Sequence, residues 1–226
     1  MINKLCNGAN LVKRRKTKIL NGESQKWKRR NKMKALNLYY SMTGNTEKVA
    51  KKIQETLKKL GHKVDTIKVT EKNVELDILQ YELVFVGSGV YTWLPGKPLQ
   101  ELYARLLAKY HGTKDIKPGS PKRPHLNVVV YCTYGGGHTG VNEAIPAVKY
   151  MGQLFDHLGY NIIAEWYIVG EYVTESFREN NILGRLGDIR GRPNENDLRE
   201  VAETVSYTHL RAHETPEHLV CRLLLE

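Results

Sequence analysis

The sequence has few cysteines, and none of them is spaced for a metal motif. Cys6, Cys132 and Cys221 lie far apart, and no Cys-x-x-Cys pair occurs. This spacing argues against a zinc site or an iron–sulfur cluster and favours a reducing, cytoplasmic setting. The sequence also lacks an apolar run of about 18 residues, the length that a membrane-spanning helix needs. We therefore predict no membrane association.

Acidic residues are almost absent from the first 32 positions. Residues 1–32 contain eleven Lys or Arg and one acid, whereas residues 33–205 contain 22 and 20, so the net charge of +11 is concentrated at the N-terminus. Because the remainder is near neutral, the charge argues against nucleic acid as a partner. Residues 1–32 are either a disordered basic arm or an untranslated stretch before a true start at Met33, and we favour the second.

The C-terminal residues 206–226 differ in character from the rest of the chain. They resemble translated sequencing adapter, so we expect an artefactual or disordered tail and a last helix that ends near Val205. His209 and His213 have the i, i+4 spacing of helical metal ligands. Pro216 interrupts the helix soon after them, and we predict no metal site.

Residues 33–205 alternate between short apolar runs and amphipathic segments. The apolar runs predict five strands, at 35–40, 63–69, 83–87, 126–132 and 162–169. Amphipathic patterns predict helices between the loop at 41–45 and Leu60, and at 98–109, 142–158 and 194–205. This alternation predicts an α/β fold with a parallel sheet covered on both faces, in strand order 2-1-3-4-5.

The loop after the first predicted strand is rich in hydroxyl and amide groups. It consists of Ser41, Met42, Thr43, Gly44, Asn45 and Thr46, and it contains no Lys or Arg. Doubly wound sheets bind ligands beyond the carboxyl ends of their strands, and the free N–H groups and dipole of a helix N-terminus favour a phosphate. We predict a phosphate site built from neutral donors; the alternative is an ordinary N-cap beside a turn glycine.

The first strand, this loop and the following helix resemble the phosphate-binding signature of the flavodoxin family, Ser/Thr-x-Thr-Gly-x-Thr. The resemblance covers residues 33–205 and implies a flavodoxin-like three-layer sandwich that binds FMN. The near-neutral charge of these residues departs from the family, since electron-shuttling flavodoxins are usually strongly acidic, and their acidity steers them to basic partners.

The resemblance implies that the loop after the third predicted strand covers one face of the flavin ring. The residues expected there are Ser88, Gly89, Val90, Tyr91, Thr92 and Trp93. Trp93 or Tyr91 would supply the stacking face, unless these aromatic side chains only pack the loop. Gly89 would allow a backbone peptide to reorient beside the flavin N5.

The loop after the fourth predicted strand is expected to hold the edge of the same ring. Its residues are Thr133, Tyr134, Gly135, Gly136, Gly137 and His138. The glycines would bring backbone N–H groups close to the flavin, and Tyr134 would cover its second face. His138 is either a group near N1 or O2 that stabilises the reduced flavin or an exposed loop histidine.

These expectations lead to an electron carrier with non-covalent FMN, whose partner is a redox protein or a small-molecule acceptor. Two alternatives stay open: an FMN-dependent NAD(P)H:quinone-type oxidoreductase, and a flavin-free interaction module on the same fold. We identify no catalytic acid, base or nucleophile. The segment from Gly184 to Asn194 is long and specific, but its chemistry suggests no role.

Overall fold

The computed structural model describes residues 32–70 and 75–213, with side chains as far as Thr208. The predictions for the basic extension before Lys32 and for the tail after His213 lie outside these residues and stay predictions.

Strands and helices alternate along the described residues. The strands are β1 (Lys34–Tyr40), β2 (Lys63–Lys68), β3 (Leu83–Tyr91), β4 (Leu94–Pro95), β5 (Asn127–Tyr134) and β6 (Asn161–Val169). The helices are α1 (Asn45–Lys59), α2 (Lys97–Gly112), α3 (Ile145–His157), the one-turn α4 (Asn180–Leu183) and α5 (Glu195–His213). Within these residues, no helix is long and apolar enough to span a membrane.

Five strands form a parallel sheet in the order β2-β1-β3-β5-β6. This is the predicted 2-1-3-4-5 order, because β5 and β6 are the fourth and fifth predicted strands, and the predicted flavodoxin-like fold is confirmed. The two-residue strand β4, which was not predicted, pairs antiparallel with the end of β3.

Alternate residues of β1 face opposite sides of the sheet, as expected for a strand covered on both faces. Leu36 and Leu38 belong to one hydrophobic core, and Ala35 and Tyr39 belong to the other. Burial of these apolar side chains on both faces stabilises the layered fold.

A buried polar side chain joins the central strands to α1. The side-chain amide of Asn37 donates to the carbonyl of Ala50 at 2.8 Å, and Tyr131 Oη donates to Asn37 Oδ1 at 3.1 Å. Because buried polar groups are costly unless they are paired, this network ties β1 and β5 to α1. It thereby holds the helix whose N-terminus faces the candidate site.

Helix α5 continues to His213 rather than ending near Val205. Its buried face, which includes Val201 and Val205, extends to Thr208, so packing continues for another turn. At the other end, Asn194 Oδ1 accepts from the amide of Asp197, while Asp197 Oδ2 accepts from the amide of Asn194. This reciprocal arrangement is a capping box, and it places Asn194 at the N-cap of α5.

Candidate functional site

A cleft of about 440 Å³ lies where β1, β3, β5 and β6 end. This is the edge at which doubly wound sheets bind their ligands, and the volume is in the range of small-molecule sites. The predicted residues that line it are Met42, Thr43, Asn45, Thr46, Gly89, Val90, Tyr91, Thr92, Trp93, Thr133, Tyr134, Gly135, Gly136 and His138. The structure therefore brings the three predicted loops together. Ser41, Gly44, Ser88 and Gly137 are predicted site residues that do not line the cleft.

The loop between β1 and α1 is folded by its own side chains. Ser41 Oγ accepts from the amide of Gly44 at 3.1 Å. Gly44 has a φ of 97° at the N-cap of α1, a left-handed conformation that glycine adopts without steric cost. The amides of Asn45, Thr46 and Glu47 follow in the first turn, where a helix provides no carbonyl for them. These amides are suited to bind an anion.

Two buried hydroxyls connect this loop to β5 at the cleft. Thr46 Oγ1 and Thr133 Oγ1 are 2.7 Å apart, and the two residues are 1% and 5% exposed. Asn45 is also held internally, because its side-chain amide donates to the carbonyl of Glu171 at 2.9 Å. The Asn45 side chain thus braces the cleft against the segment after β6.

The predicted loop after β3 is a β-hairpin. β3 continues through Ser88 and Gly89, which pair with Cys132 and Thr133 of β5, and it then turns back into β4. The turn residues Thr92 and Trp93 have φ values of 49° and 65°. Two-residue hairpins favour such positive values, although Asn and Gly adopt them far more easily. The Ser88 hydroxyl donates to the carbonyl of Gly89 and accepts from the amide of Gly96, so it stabilises the hairpin.

The hairpin presents two aromatic side chains to the cleft. Trp93, at the tip, is 57% exposed. Tyr91 packs edge-on against Tyr40 with ring centroids 5.8 Å apart, and its hydroxyl accepts from the amide of Met42 at 3.3 Å. Burial raises the pKa of Tyr91, so its hydroxyl stays neutral. Tyr91 therefore ties the hairpin to the β1–α1 loop, and Trp93 is the accessible ring.

The glycines after β5 contact other parts of the chain. The amide of Gly137 donates to Tyr172 Oη at 3.1 Å. The amides of His138 and Thr139 donate to Glu143 Oε1 at 2.8 and 2.7 Å. Of the glycine N–H groups that we expected to face a ligand, that of Gly137 is therefore engaged within the protein.

Tyr134 offers less surface to a ligand than the sequence suggested. It is the last residue of β5, it is 8% exposed, and it belongs to a hydrophobic core. Although it borders the cleft, most of its ring is packed against protein. His138 is exposed and lines the cleft.

One wall of the cleft was not predicted from the sequence. This wall comes from the chain after β6 and includes Gly170, Glu171, Tyr172, Val173, Thr174, Phe177 and Asn180, together with Glu143 from the β5 side. The sequence feature that could have indicated this wall is the length of the connection, since more than 20 residues separate the fifth predicted strand from the last helix. Loops of that length in compact domains are commonly functional.

The described lining of the cleft contains no Lys or Arg. The imidazole and carboxyl side chains in this lining are those of His138, Glu143 and Glu171. A phosphate at this site would depend on backbone amides, hydroxyls and the dipole of α1, as the sequence indicated.

The sequence model of the family described as Flavodoxin matches residues 38–204. The chain belongs to the flavodoxin family. At the level of the family, this membership supports an FMN-binding electron-transfer flavoprotein. The site fits such a cofactor, because it combines neutral donors at a helix N-terminus, glycines for close backbone approach and exposed aromatic side chains.

Solved structures of flavodoxins share the fold. Flavodoxin 1 from Bacillus cereus aligns with a TM-score of 0.55 and 14% identity, covering 80% of this chain and 99% of that one. A flavodoxin from the domain Archaea aligns with a TM-score of 0.52 and 17% identity, covering 80% and 100%.

A WrbA-like flavodoxin from Agrobacterium tumefaciens aligns with a TM-score of 0.52 and 10% identity, covering 80% of this chain and 97% of that one. No curated protein matches the chain by sequence. At these identities the solved structures show the fold alone.

Proposed function

We propose that this flavodoxin-family protein binds FMN non-covalently in the cleft and transfers electrons to a redox partner protein or a small-molecule acceptor. The observation that supports the proposal is that a helix N-terminus with free amides and an exposed aromatic hairpin line one cleft. A bound FMN supplies the chemistry, because its ring accepts and releases one or two electrons.

The residues of the chain have distinct roles in this proposal. The amides of Asn45, Thr46 and Glu47 bind the phosphate at the start of α1. The exposed hydroxyl of Thr43 lies at the same helix end and donates a hydrogen bond to the phosphate. Trp93 packs on one face of the ring from the hairpin. The Ser41–Gly44 and Thr46–Thr133 hydrogen bonds hold these groups in position.

A titration with two flavins tests the phosphate site. The full-length protein is titrated with FMN and with riboflavin, which lacks the phosphate, and binding is followed by flavin fluorescence. We expect FMN to bind at least about 100-fold more tightly, since two or more charge-assisted hydrogen bonds are lost with riboflavin. Equal affinity for the two flavins would contradict the assignment of the phosphate site.

A variant of the exposed Thr43 sharpens this test. Thr43→Ala removes a hydroxyl without disturbing a buried contact, so we expect weaker FMN binding by about threefold to tenfold and unchanged riboflavin binding. The control is Thr204→Ala, an exposed threonine on α5, which should leave both affinities unchanged.

An FMN-dependent quinone reductase is a second candidate function. The cleft lining includes Met42, Trp93, Val173 and Phe177, which are exposed apolar side chains. An apolar mouth of this kind suits a small planar acceptor beside the flavin. Rapid NADPH-driven reduction of a soluble quinone by the FMN-loaded protein would support this candidate, and its absence would favour the carrier.

A further inference from the structure

The chain between β6 and α5, residues 170–194, is fastened across the carboxyl end of the sheet. We call it the β6–α5 segment. The amide of Arg185 donates to the carbonyl of Gly137 at 2.9 Å, and the amide of Glu171 donates to the carbonyl of Arg192 at 2.9 Å. The Gly184–Asn194 stretch, to which the sequence assigned no role, therefore joins the two ends of this segment to each other and ties its interior to the loop after β5.

A buried asparagine fixes Tyr172 within the segment. Asn181 is 4% exposed. Its Oδ1 accepts from the amide of Tyr172 at 2.7 Å, and its Nδ2 donates to the carbonyl of the same residue at 2.9 Å. The amide of Ile189 in turn donates to the carbonyl of Asn181 at 2.9 Å. Because both backbone groups of Tyr172 are held by one buried side chain, the tyrosine has a fixed position.

Tyr172 lies directly against the loop after β5. A Cβ atom added to Gly135 would come within 2.2 Å of the Tyr172 ring, so only glycine permits this contact. The Tyr172 hydroxyl accepts from the amide of Gly137 at 3.1 Å. Phe177 packs against Tyr172 with ring centroids 5.7 Å apart, and it is 51% exposed. The two rings form one aromatic surface that lines the cleft.

This surface and the hairpin stand on opposite sides of β5. The sheet order places β5 between β3 and β6, the hairpin continues from β3, and the β6–α5 segment continues from β6. Both line the same cleft. The loop after β5 itself offers no aromatic residue between Gly135 and His138, and Tyr134 is packed in the core.

We propose that Tyr172 and Phe177 form the second aromatic wall of the site and contact the face of the flavin ring that Trp93 leaves uncovered. The ligand chemistry is that of a planar fused aromatic system, which packs on aromatic side chains in offset or edge-on geometry. The inference rests on the proposed function, and it replaces Tyr134 in the role that the sequence suggested.

The test uses full-length Phe177→Leu, Tyr172→Leu and Tyr172→Phe variants, titrated with FMN and with lumiflavin, which has the ring but no phosphate. Packed aromatic side chains quench flavin fluorescence, so affinity and emission of the bound flavin are both measured. We expect Phe177→Leu and Tyr172→Leu to weaken binding of both flavins by about threefold to tenfold and to increase bound-flavin emission. Tyr172→Phe keeps the ring, so its flavin affinity and bound-flavin emission should remain close to those of the wild type.

Tyr150→Leu serves as the matched control. Tyr150 is partly exposed and stacks on Tyr103, and it does not line the cleft, so its loss should leave flavin binding and emission unchanged. Because Phe177 is half exposed, Phe177→Leu keeps the test decisive even if Tyr172→Leu fails to fold.

Two results would overturn the inference. If the wild-type protein binds FMN while Phe177→Leu and Tyr172→Leu show wild-type affinity and emission, the second wall is wrong and the proposed function stands. If the wild-type protein binds no flavin, the proposed function and this inference both fail.

Discussion

Replacing one member of the Thr46–Thr133 pair should cost more stability than replacing both. The two hydroxyls are 2.7 Å apart and almost fully buried. Thr46→Val keeps the shape of the side chain but leaves the Thr133 hydroxyl without its partner. A buried polar group left unpaired costs about 1–3 kcal/mol, whereas replacing both partners by apolar groups of the same shape is nearly neutral.

These magnitudes predict a clear departure from additivity. We expect Thr46→Val and Thr133→Val each to lower the free energy of unfolding by about 1–2 kcal/mol, and the double variant to lower it by no more than either single one. The coupling energy is then about 1–2 kcal/mol, within the range for residues that share a hydrogen bond.

The assay is urea unfolding of the four proteins without flavin, followed by circular dichroism. Thr204→Val, at an exposed position on α5 where the hydroxyl donates to the carbonyl of Glu200, is the control for a threonine-to-valine change that leaves no buried hydroxyl unpaired. Additive losses in the double variant would refute the reasoning, because they would show that the two hydroxyls do not depend on each other.

Three further predictions follow from the backbone and from one ion pair. Thr92→Asn should raise the free energy of unfolding by about 0.5–1 kcal/mol, since Thr92 has a φ of 49° and asparagine tolerates left-handed backbone better than a β-branched residue. Gly87→Ala should lower it by about 2–3 kcal/mol, because the new Cβ would lie 2.1 Å from the buried Tyr131 ring. Burial raises the pKa of Asp197, but the bonds from Arg192 and from a backbone amide outweigh it and leave the pKa lowered. In the unfolded chain the pKa of an aspartate is about 4, so the lowered pKa of Asp197 stabilises the folded protein above that pH, and this stabilisation is lost as the pH falls through the pKa in the folded state. The stability advantage of the wild type over Asp197→Asn should therefore shrink from pH 7 to pH 3.

Thermal and urea unfolding check these three predictions. The Thr92 prediction is wrong if Thr92→Asn is less stable than the wild type. For Gly87, a Gly87→Ala variant as stable as wild type would show that Tyr131 moves aside at no cost. For Asp197, an advantage that stays constant over the whole pH range would show that its carboxylate is not linked to folding.

The sheet and the position of the β1–α1 loop were predictable because their signals are local. Apolar runs such as 83–87 and 126–132 mark strands buried on both faces, and the doubly wound order follows from the alternation with helices. Gly44 lies between a strand and an amphipathic helix, and this pattern indicates a loop at the edge of the sheet where ligands bind. Each of these features is contained in a short stretch of sequence.

The ends of β3 and β5 were not predictable in this way. Ser88, Gly89 and Thr133 are not apolar, and they are in strands because they pair with neighbouring strands. The turn at Thr92 and Trp93 lacks the Asn and Gly that signal a hairpin. Pairing between distant strands, rather than local preference, determines these positions.

The aromatic wall after β6 depends on contacts between segments far apart in the sequence. Tyr172 is placed by Asn181 and by the bare backbone at Gly135, and no local pattern marks either contact. Tyr134 was assigned to a loop for the same reason. A position next to three glycines resembles a loop, whereas the structure places Tyr134 at the end of a core strand.

An absorbance spectrum of the purified full-length protein, followed by titration with FMN, tests the central claim most directly. We predict flavin absorbance bands, present on purification or restored by titration, that saturate at one FMN per chain, bleach on anaerobic reduction and return when an acceptor is added. A protein that stays colourless and binds no FMN at saturating concentration would contradict the account.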